Sequence, residues 1–164
     1  MGLKFRVKMF FYLISLLILI TDQIIKQAVS LYPLGKSISI VPGLLYFTYI
    51  KNKGAAFGLF LGQRYFLIFI VLVVVGAVLY FYHRIKEGHY GIKLALSFIF
   101  GGSLGNLLDR IFRGYVIDFI DIKIWPVFNL ADIFVNVGVS VLIILLLFPK
   151  LEEKCTRYFL PSER

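Results

Sequence analysis

Four apolar runs, each long enough to cross a bilayer, constrain this chain more than any other feature. Crossing about 30 Å of hydrocarbon takes roughly 20 mostly apolar residues in a helix. Such runs lie at residues 9–29, 65–82, 92–110 and 132–148. The first carries Asp22 and Lys26 near its end, and the second has no charge at all. The third ends on Asp109-Arg110, and Pro149 and Lys150 stop the fourth. Within lipid every backbone polar group needs an internal partner, so the spans are read as helices. The fold class is an all-α integral membrane protein, a bundle of four transmembrane helices. No repeat, low-complexity tract or linker divides the 164 residues, which read as a single membrane domain.

Composition agrees with that reading. Hydrophobic residues make up 60% of the chain and mean hydropathy is +0.88. Soluble domains are about 45–50% apolar, so an ordinary soluble enzyme is excluded. A net charge of +9 would suggest nucleic acid in a soluble protein; here it sorts along the spans. With the N-terminus inside, the cytoplasmic pieces hold Lys4, Arg6, Lys8, Arg84, Lys86, Lys93, Lys150, Lys154, Arg157 and Arg164, ten of the 18 basic residues. That bias places both termini in the cytoplasm, with anionic lipid headgroups rather than nucleic acid as the basic residues' partner.

The acids sort more sharply. All four glutamates (Glu87, Glu152, Glu153, Glu163) fall in inner pieces, and all five aspartates (Asp22, Asp109, Asp118, Asp121, Asp132) in the outer half. One cysteine, Cys155, excludes an internal disulfide or a cysteine-cluster metal site. His83, His89 and Cys155 lie on the inner side and are assigned no role. Lys4, Arg6 and Lys8 before an apolar run imitate a secretory signal, with Ala28-Val29-Ser30 resembling a cleavage site. Asp22, Gln23 and Lys26 interrupt that pattern, and the segment is expected to stay as a helix.

Two outer segments are more than connectors. Within residues 31–64, Ser37-Ile38-Ser39-Ile40-Val41 and Leu44-Leu45-Tyr46-Phe47-Thr48-Tyr49-Ile50 flank Pro42-Gly43. β-branched and aromatic residues around a Pro-Gly turn predict a hairpin or small sheet, apolar enough to lie on the membrane face over the bundle. The second, residues 111–131, is an aromatic loop whose Trp125 suits the interfacial zone.

Polar residues inside spans are costly and gather on protein-facing sides. Ser15, Asp22 and Lys26 make one helical stripe, Gly102, Asn106 and Asp109 a second, and Asp132, Asn136 and Ser140 a third. The three stripes are predicted to converge. Plain structural readings exist for most members. Asp22 and Lys26 form an i, i+4 ion pair, and Asp109-Arg110 caps a helix and snorkels. Gly101 and Gly105 form a GxxxG packing step, and Asn136 and Ser140 bond between helices. Asp118 and Asp132 are harder to dismiss, although Asp132 at a helix start also suits a cap. Neither has a cation nearby in sequence, and both belong to the same outer interface. Two carboxylates in a poorly hydrated site cannot both ionise; one keeps a proton while the other accepts one, which activates water.

These pieces, in order, resemble bacterial lipoprotein signal peptidase, or signal peptidase II. The matching segments are Asp22-Gln23-Ile24-Ile25-Lys26, Asn52-Lys53-Gly54-Ala55-Ala56-Phe57-Gly58 and Gly101-Gly102-Ser103-Leu104-Gly105-Asn106-Leu107-Leu108-Asp109-Arg110. Val116-Ile117-Asp118-Phe119 and Phe128-Asn129-Leu130-Ala131-Asp132 follow. The resemblance implies an intramembrane aspartyl endopeptidase that cuts prolipoprotein signal peptides before a diacylglyceryl-modified cysteine, without metal or organic cofactor. It implies Asp118 and Asp132 as the catalytic dyad and Asn52 as a contact to the substrate backbone. Gly54, Asn106, Asp109, Arg110 and Asn129 are implied as substrate-binding or supporting groups, and Asp22 with Lys26 as a structural pair. The expected partners are the lipidated prolipoprotein and membrane lipid, the expected state is a monomer, and the site is placed near the extracytoplasmic face. Two departures stand out: a short stretch between the aspartates, and Ile133-Phe134 after Asp132 where smaller residues are expected.

Two rival readings remain. Asp118, Asp121 and Asp132 would bind Mg²⁺ in a lipid-phosphate transferase, with Asp121 otherwise a solvated surface acid. Alternatively Asp22 and Lys26 would line an ion path in a small four-helix transporter.

Overall fold

The computed structural model describes residues 3–86 and 88–159. Of the charges used to orient the chain, Glu87, Glu163 and Arg164 lie outside the described residues. Four long helices follow the apolar runs: α1 (Leu3–Ser30), α2 (Arg64–Arg84), α3 (Tyr90–Leu108) and α4 (Leu130–Leu147). Each has the length and apolarity to cross a membrane. A fifth, α5 (Pro149–Phe159), was not foreseen. Pro149 ends α4 as expected, but proline also suits the first position of a helix, and it opens α5 there.

The glycines explain why α3 is central. A Cβ on Gly101 would come 2.7 Å from the Ser15 carbonyl of α1, and one on Gly102 2.5 Å from the Ala131 carbonyl of α4. A Cβ on Gly138 would meet the Ala95 carbonyl at 2.7 Å. Backbones therefore touch on two sides of α3, the close approach that small residues allow in membranes. The remaining side packs on α2, where Phe11, Val78, Tyr82, Leu96 and Ile99 form an apolar core and Phe11 stacks on Tyr82 with centroids 3.9 Å apart. Outward residues such as Leu17, Phe69, Val73 and Ile143 are exposed, as lipid-facing positions should be.

The predicted hairpin forms: β1 (Ser37–Val41) pairs antiparallel with β2 (Leu45–Asn52). The segment 111–131 is not only a loop. It contains β3 (Val116–Asp121), which pairs antiparallel with the other edge of β2. Every residue of β3 except Ile120 is buried, so it lacks the polar alternation that marks a half-exposed strand. The sheet sits over the end of α1 on a core of Val29, Tyr49, Ile117 and Phe119.

One irregularity positions the site. Phe47 pairs with Ile120, yet Ile50 pairs with Asp118, so β2 has one extra residue between these points. A one-residue slip exchanges the two faces of a strand. Beyond this bulge Ile50, and with it Asn52, shares the face of Asp118 rather than that of Ile117. After β3 the chain turns through residues 122–127 and returns with Phe128 bonded to Ile120, N to O at 3.0 Å. The short stretch between Asp118 and Asp132 is thus closed as a tight loop that delivers Asn129 to the start of α4.

Gly102→Leu should destabilise the fold by about 3 kcal/mol, the upper end of the range for overpacking, because the blocking atom is a backbone carbonyl that cannot move aside. Gly76, with open space around its position, is the control: Gly76→Ala should stabilise α2 by about 0.5–1 kcal/mol. Reversible unfolding in detergent measures both, and a tolerated leucine at 102 would contradict the packing.

Candidate active site

Two of the sequence stripes meet at the C-terminal ends of α1 and α3, where a buried ion cluster forms first. Lys26 Nζ lies 2.8 Å from Asp22 Oδ2, 3.1 Å from Asp109 Oδ2 and 2.9 Å from Asn106 Oδ1, with the lysine and both acids fully buried. Asp22 Oδ1 also accepts the Ala131 backbone N–H at 3.0 Å, tying the start of α4 to α1. Gly105 leaves room for this contact, since a Cβ there would come 2.6 Å from Asp22 Oδ2.

Asp109 is more deeply committed than a helix cap that snorkels. It begins a π-helical turn, Asp109–Arg113, closed by Gly114 N–H donating to the Asp109 carbonyl and ended by Gly114 in the left-handed region. Its carboxylate accepts from Ile117 N at 3.1 Å and from Gln23 Nε2 at 3.3 Å, and it is ion-paired with Arg113. Asp109 thereby orders the entry into β3. Gln23 and Arg113 were missed as members of this cluster, although Arg113 stands four residues after Asp109 and is a legible i, i+4 partner.

The dyad candidates are carried by asparagines. Asp118, on β3, accepts from Asn52 Nδ2 at 2.9 Å on Oδ2 and from Asn129 Nδ2 at 2.7 Å on Oδ1. Asp132, in the first turn of α4, accepts from Asn106 Nδ2 at 2.7 Å on Oδ1 and from the Asn129 backbone N–H at 3.1 Å on Oδ2. Asn129 Oδ1 in turn accepts Asp132 N–H at 3.0 Å, which completes a capping box. Asn106 Oδ1 accepts from both Lys26 and Asn129, which fixes its amide so that the NH₂ points at Asp132. Asn52, expected to meet the substrate backbone, has its side chain engaged at both ends: Nδ2 on Asp118 and Oδ1 on Gly54 N–H at 2.9 Å.

Asp118 and Asp132 line one cavity of about 570 Å³ together with Asn52, Asn106 and Arg110. Arg110 donates from Nη2 to the Gly54 carbonyl at 3.2 Å and from Nη1 to the Asn106 carbonyl at 3.3 Å, pinning the loop after β2 to α3. Gly54 itself is packed too tightly for a side chain, with the Leu59 carbonyl 2.7 Å from where its Cβ would stand. Ile133 lines the cavity, whereas Phe134 turns away onto Phe98. Only the first of the two bulky residues narrows the site. Burial, then the neighbouring Asp132 charge, raises Asp118 to about 7 against the pull of the Asn52 and Asn129 hydrogen bonds. The two carboxyl groups thus share one cavity, with Asp118 shifted toward its protonated form.

Three other residues fall elsewhere. Asn136 is exposed and bonds the Asp132 carbonyl from the cavity rim, and Ser140 is exposed, so the third stripe reaches the convergence only at Asp132. Asp121 is not a solvated surface acid: it is buried, accepting from Thr48 Oγ1 at 2.9 Å and Lys123 Nζ at 2.7 Å. Burial acts to raise its pKa, but the Lys123 and Thr48 hydrogen bonds prevail and hold the carboxyl below the usual range. Asp121 therefore fastens β3 to β2 and is not gathered with Asp118 and Asp132. Among the described residues no three His, Cys, Asp or Glu are placed to hold a metal ion.

The family described as Signal peptidase (SPase) II matches residues 14–148. The lipoprotein signal peptidase of Halothermothrix orenii is 42% identical over 136 residues, 82% of this chain and 93% of that one. That of Staphylococcus carnosus is 37% identical over 146 residues, covering 86% and 92%. A bacterial membrane enzyme solved by the in meso method at 2.3 Å is similar in structure with a TM-score of 0.77 and 36% identity, over 84% of this chain and 87% of that chain.

Lys26→Met should leave Asp22 buried without a cation and Asp109 with Arg113 alone, and destabilise the protein by about 3–5 kcal/mol. Adding Asp22→Asn should recover part of that loss, and strict additivity in this double-mutant cycle would show that the two do not interact.

Proposed function

Since this chain belongs to the signal peptidase II family of aspartic peptidases, we propose that Asp118 and Asp132 are the dyad by which it cleaves a prolipoprotein. Lipoprotein signal peptidase activity sets the reaction, hydrolysis of a peptide bond in a lipoprotein precursor. The observation that supports the dyad is the sharing of one cavity by two carboxylates, of which Asp118 is raised to about 7.

Asp118 holds the proton and Asp132 is the base. Asp132 takes a proton from water as the oxygen attacks the scissile carbonyl carbon, and Asp118 gives its proton to the carbonyl oxygen. The tetrahedral diol collapses with return of a hydroxyl proton to Asp118. The proton on Asp132 passes to the departing nitrogen, so the products are one acid, one amine and the dyad in its starting state. The titration belongs to the pair, with the upper step near that of Asp118. The asparagines supply donors that keep both carboxylates aimed into the cavity while the charge moves between them. Arg110 holds the loop after β2 against α3 and contributes a positive charge beside the developing oxyanion.

The cleaved bond precedes a diacylglyceryl-modified cysteine whose acyl chains stay in lipid beside the bundle. The three-stranded sheet and the 122–127 loop hold the extended residues around that bond. Both termini lie in the cytoplasm, the cavity opens near the extracytoplasmic face, and the enzyme works as a monomer without metal or organic cofactor.

Asp118→Asn and Asp132→Asn should each abolish cleavage of a purified lipidated prolipoprotein while the protein still unfolds cooperatively; substantial turnover by either variant would sink the dyad. The unlipidated precursor should be cut far more slowly than the lipidated one, and equal rates would refute the lipid requirement. Arg110→Ala should lower kcat/KM by about 10²-fold through misplacement of the loop, measured against Arg110→Lys.

The pH profile follows from Asp118. A carboxyl raised to about 7 is protonated below that pH and loses its proton as pH rises through it, so kcat/KM should fall with unit slope above about 7. Asn52→Ala removes a donor that favours the charged form, and should move this alkaline limb to higher pH in the residual activity. A limb that stays in place would separate Asp118 from the titration.

A further inference from the structure

An extended peptide entering the cavity of Asp118 and Asp132 brings unpaired backbone with it. The residues on the signal side of the cleaved bond leave the helical conformation there, and in a membrane their N–H and C=O groups then need partners from the protein. β3, the strand that carries Asp118, is largely committed. The N–H groups of Phe119 and Ile120 donate to the Phe128 carbonyl, the Ile120 carbonyl accepts from Phe128, and the Ile117 N–H donates to the Asp109 carboxylate. The asparagines that support the dyad are committed too. Asn52, Asn106 and Asn129 each form hydrogen bonds through both ends of the amide.

Asn136 is different. It stands one turn beyond Asp132 on α4, lines the same cavity and is exposed. A bond to a neighbouring helix was expected of it; instead its Nδ2 donates to the Asp132 carbonyl of its own helix at 2.9 Å. That bond holds the amide beside the Asp132 backbone, and among the described residues none donates to Oδ1. The surroundings are apolar, since Ile133 and Val137, the latter 42% exposed, line the cavity with it. An amide placed among such residues inside a span is costly, and a polar group kept there marks a contact that function supplies.

We propose that Asn136 is a substrate-binding residue, its Oδ1 accepting one backbone N–H of the extended chain on the signal side of the cleaved bond. This rests on the peptidase reading above and deepens it, by naming which part of the precursor the cavity grips. Four helical residues span about 6 Å, and an extended chain covers about 3.3 Å per residue. The N–H that Asn136 takes therefore belongs to about the second or third residue before the cleaved bond. Every residue but proline carries that N–H, so the contact adds affinity without choosing a side chain, and it disfavours precursors with proline at that place.

The test is a backbone scan of a lipidated precursor peptide cleaved by the full chain in detergent, each amide before the cleaved bond being replaced in turn by an ester. The ester at the second or third residue should raise KM about 10-fold with little change in kcat, the loss of one hydrogen bond. Asn136→Ala should raise KM for the all-amide peptide by a similar factor and show no further penalty for that ester. An unchanged KM in Asn136→Ala, or an ester penalty that persists in it undiminished, would overturn the contact. Asn136→Thr separates binding from positioning, because a threonine hydroxyl keeps the bond to the Asp132 carbonyl but offers no amide. Its KM should match that of Asn136→Ala, and a KM equal to the unsubstituted protein's would make the Asp132 bond the whole role of the side chain. Should Asn136→Ala fail to fold, Asn136→Thr takes its place in the scan. The dyad is judged separately: turnover by Asp118→Asn counts against the dyad and leaves the scan to decide Asn136.

Discussion

A lysine ammonium buried among helices and closed to bulk solvent is the constraint from which this end of the bundle follows. An ion there is tolerated only if charge and hydrogen bonds surround it. Lys26 satisfies this with Asp22 from its own helix and Asp109 and Asn106 from α3. Each partner is then used a second time. Asp22 takes the first-turn N–H of α4, Asp109 takes the N–H of Ile117 at the head of β3, and Asn106 presents its NH₂ to Asp132. The cluster thus fixes α1, α3, α4 and β3 around one point, and the two candidate catalytic acids belong to the last two.

Aspartate and asparagine dominate this region for a mechanical reason. Their side chains have two rotatable bonds, so a hydrogen bond at each end leaves little freedom. Asn52, Asn106 and Asn129 are each held in that way, by Gly54, by Lys26 and by the Asp132 backbone. The carboxylates they support are positioned by donors that are themselves immobile, as a catalytic pair requires. A glutamate or glutamine in the same place adds a rotatable bond and loosens the chain of contacts.

The spans, the hairpin and the stripes on α1 and α3 were legible because they depend on local rules: apolar length, a Pro-Gly turn and helical spacing; on α4 only Asp132 followed its stripe, since Asn136 and Ser140 are exposed. Lys26 and Asp22 were readable as a pair for the same reason. The π-helical turn at Asp109–Arg113 was not, since nothing in a sequence separates one extra residue per turn from a continuing helix. β3 escaped because it is buried throughout and shows no alternation. Asp121 was misread for want of its partner: Thr48 lies 73 residues away, on the strand that pairs with it. The bulge in β2 is the least visible of all. It is a matter of register between distant strands, yet it decides that Asn52 rather than Lys51 faces Asp118.

The cavity shared by Asp118 and Asp132 abuts one end of α3, and the length of that helix bears on the depth at which the proposed cleavage would occur. α3 has 19 residues, so at about 1.5 Å per residue its ends stand roughly 27 Å apart, close to the thickness of the hydrocarbon. Its backbone is in contact with α1 through Gly101 and with α4 through Gly102, which leaves it no freedom to slide against them. A helix so held transmits the level of one end to the other. With the α3 start at headgroup level, Asn106 and Arg110 at its other end would lie near the opposite interface. The proposed substrate, anchored by acyl chains in that opposite leaflet, would present its scissile bond at a depth set by the lipid. The rigidity of α3 would bring the aspartates to the same depth.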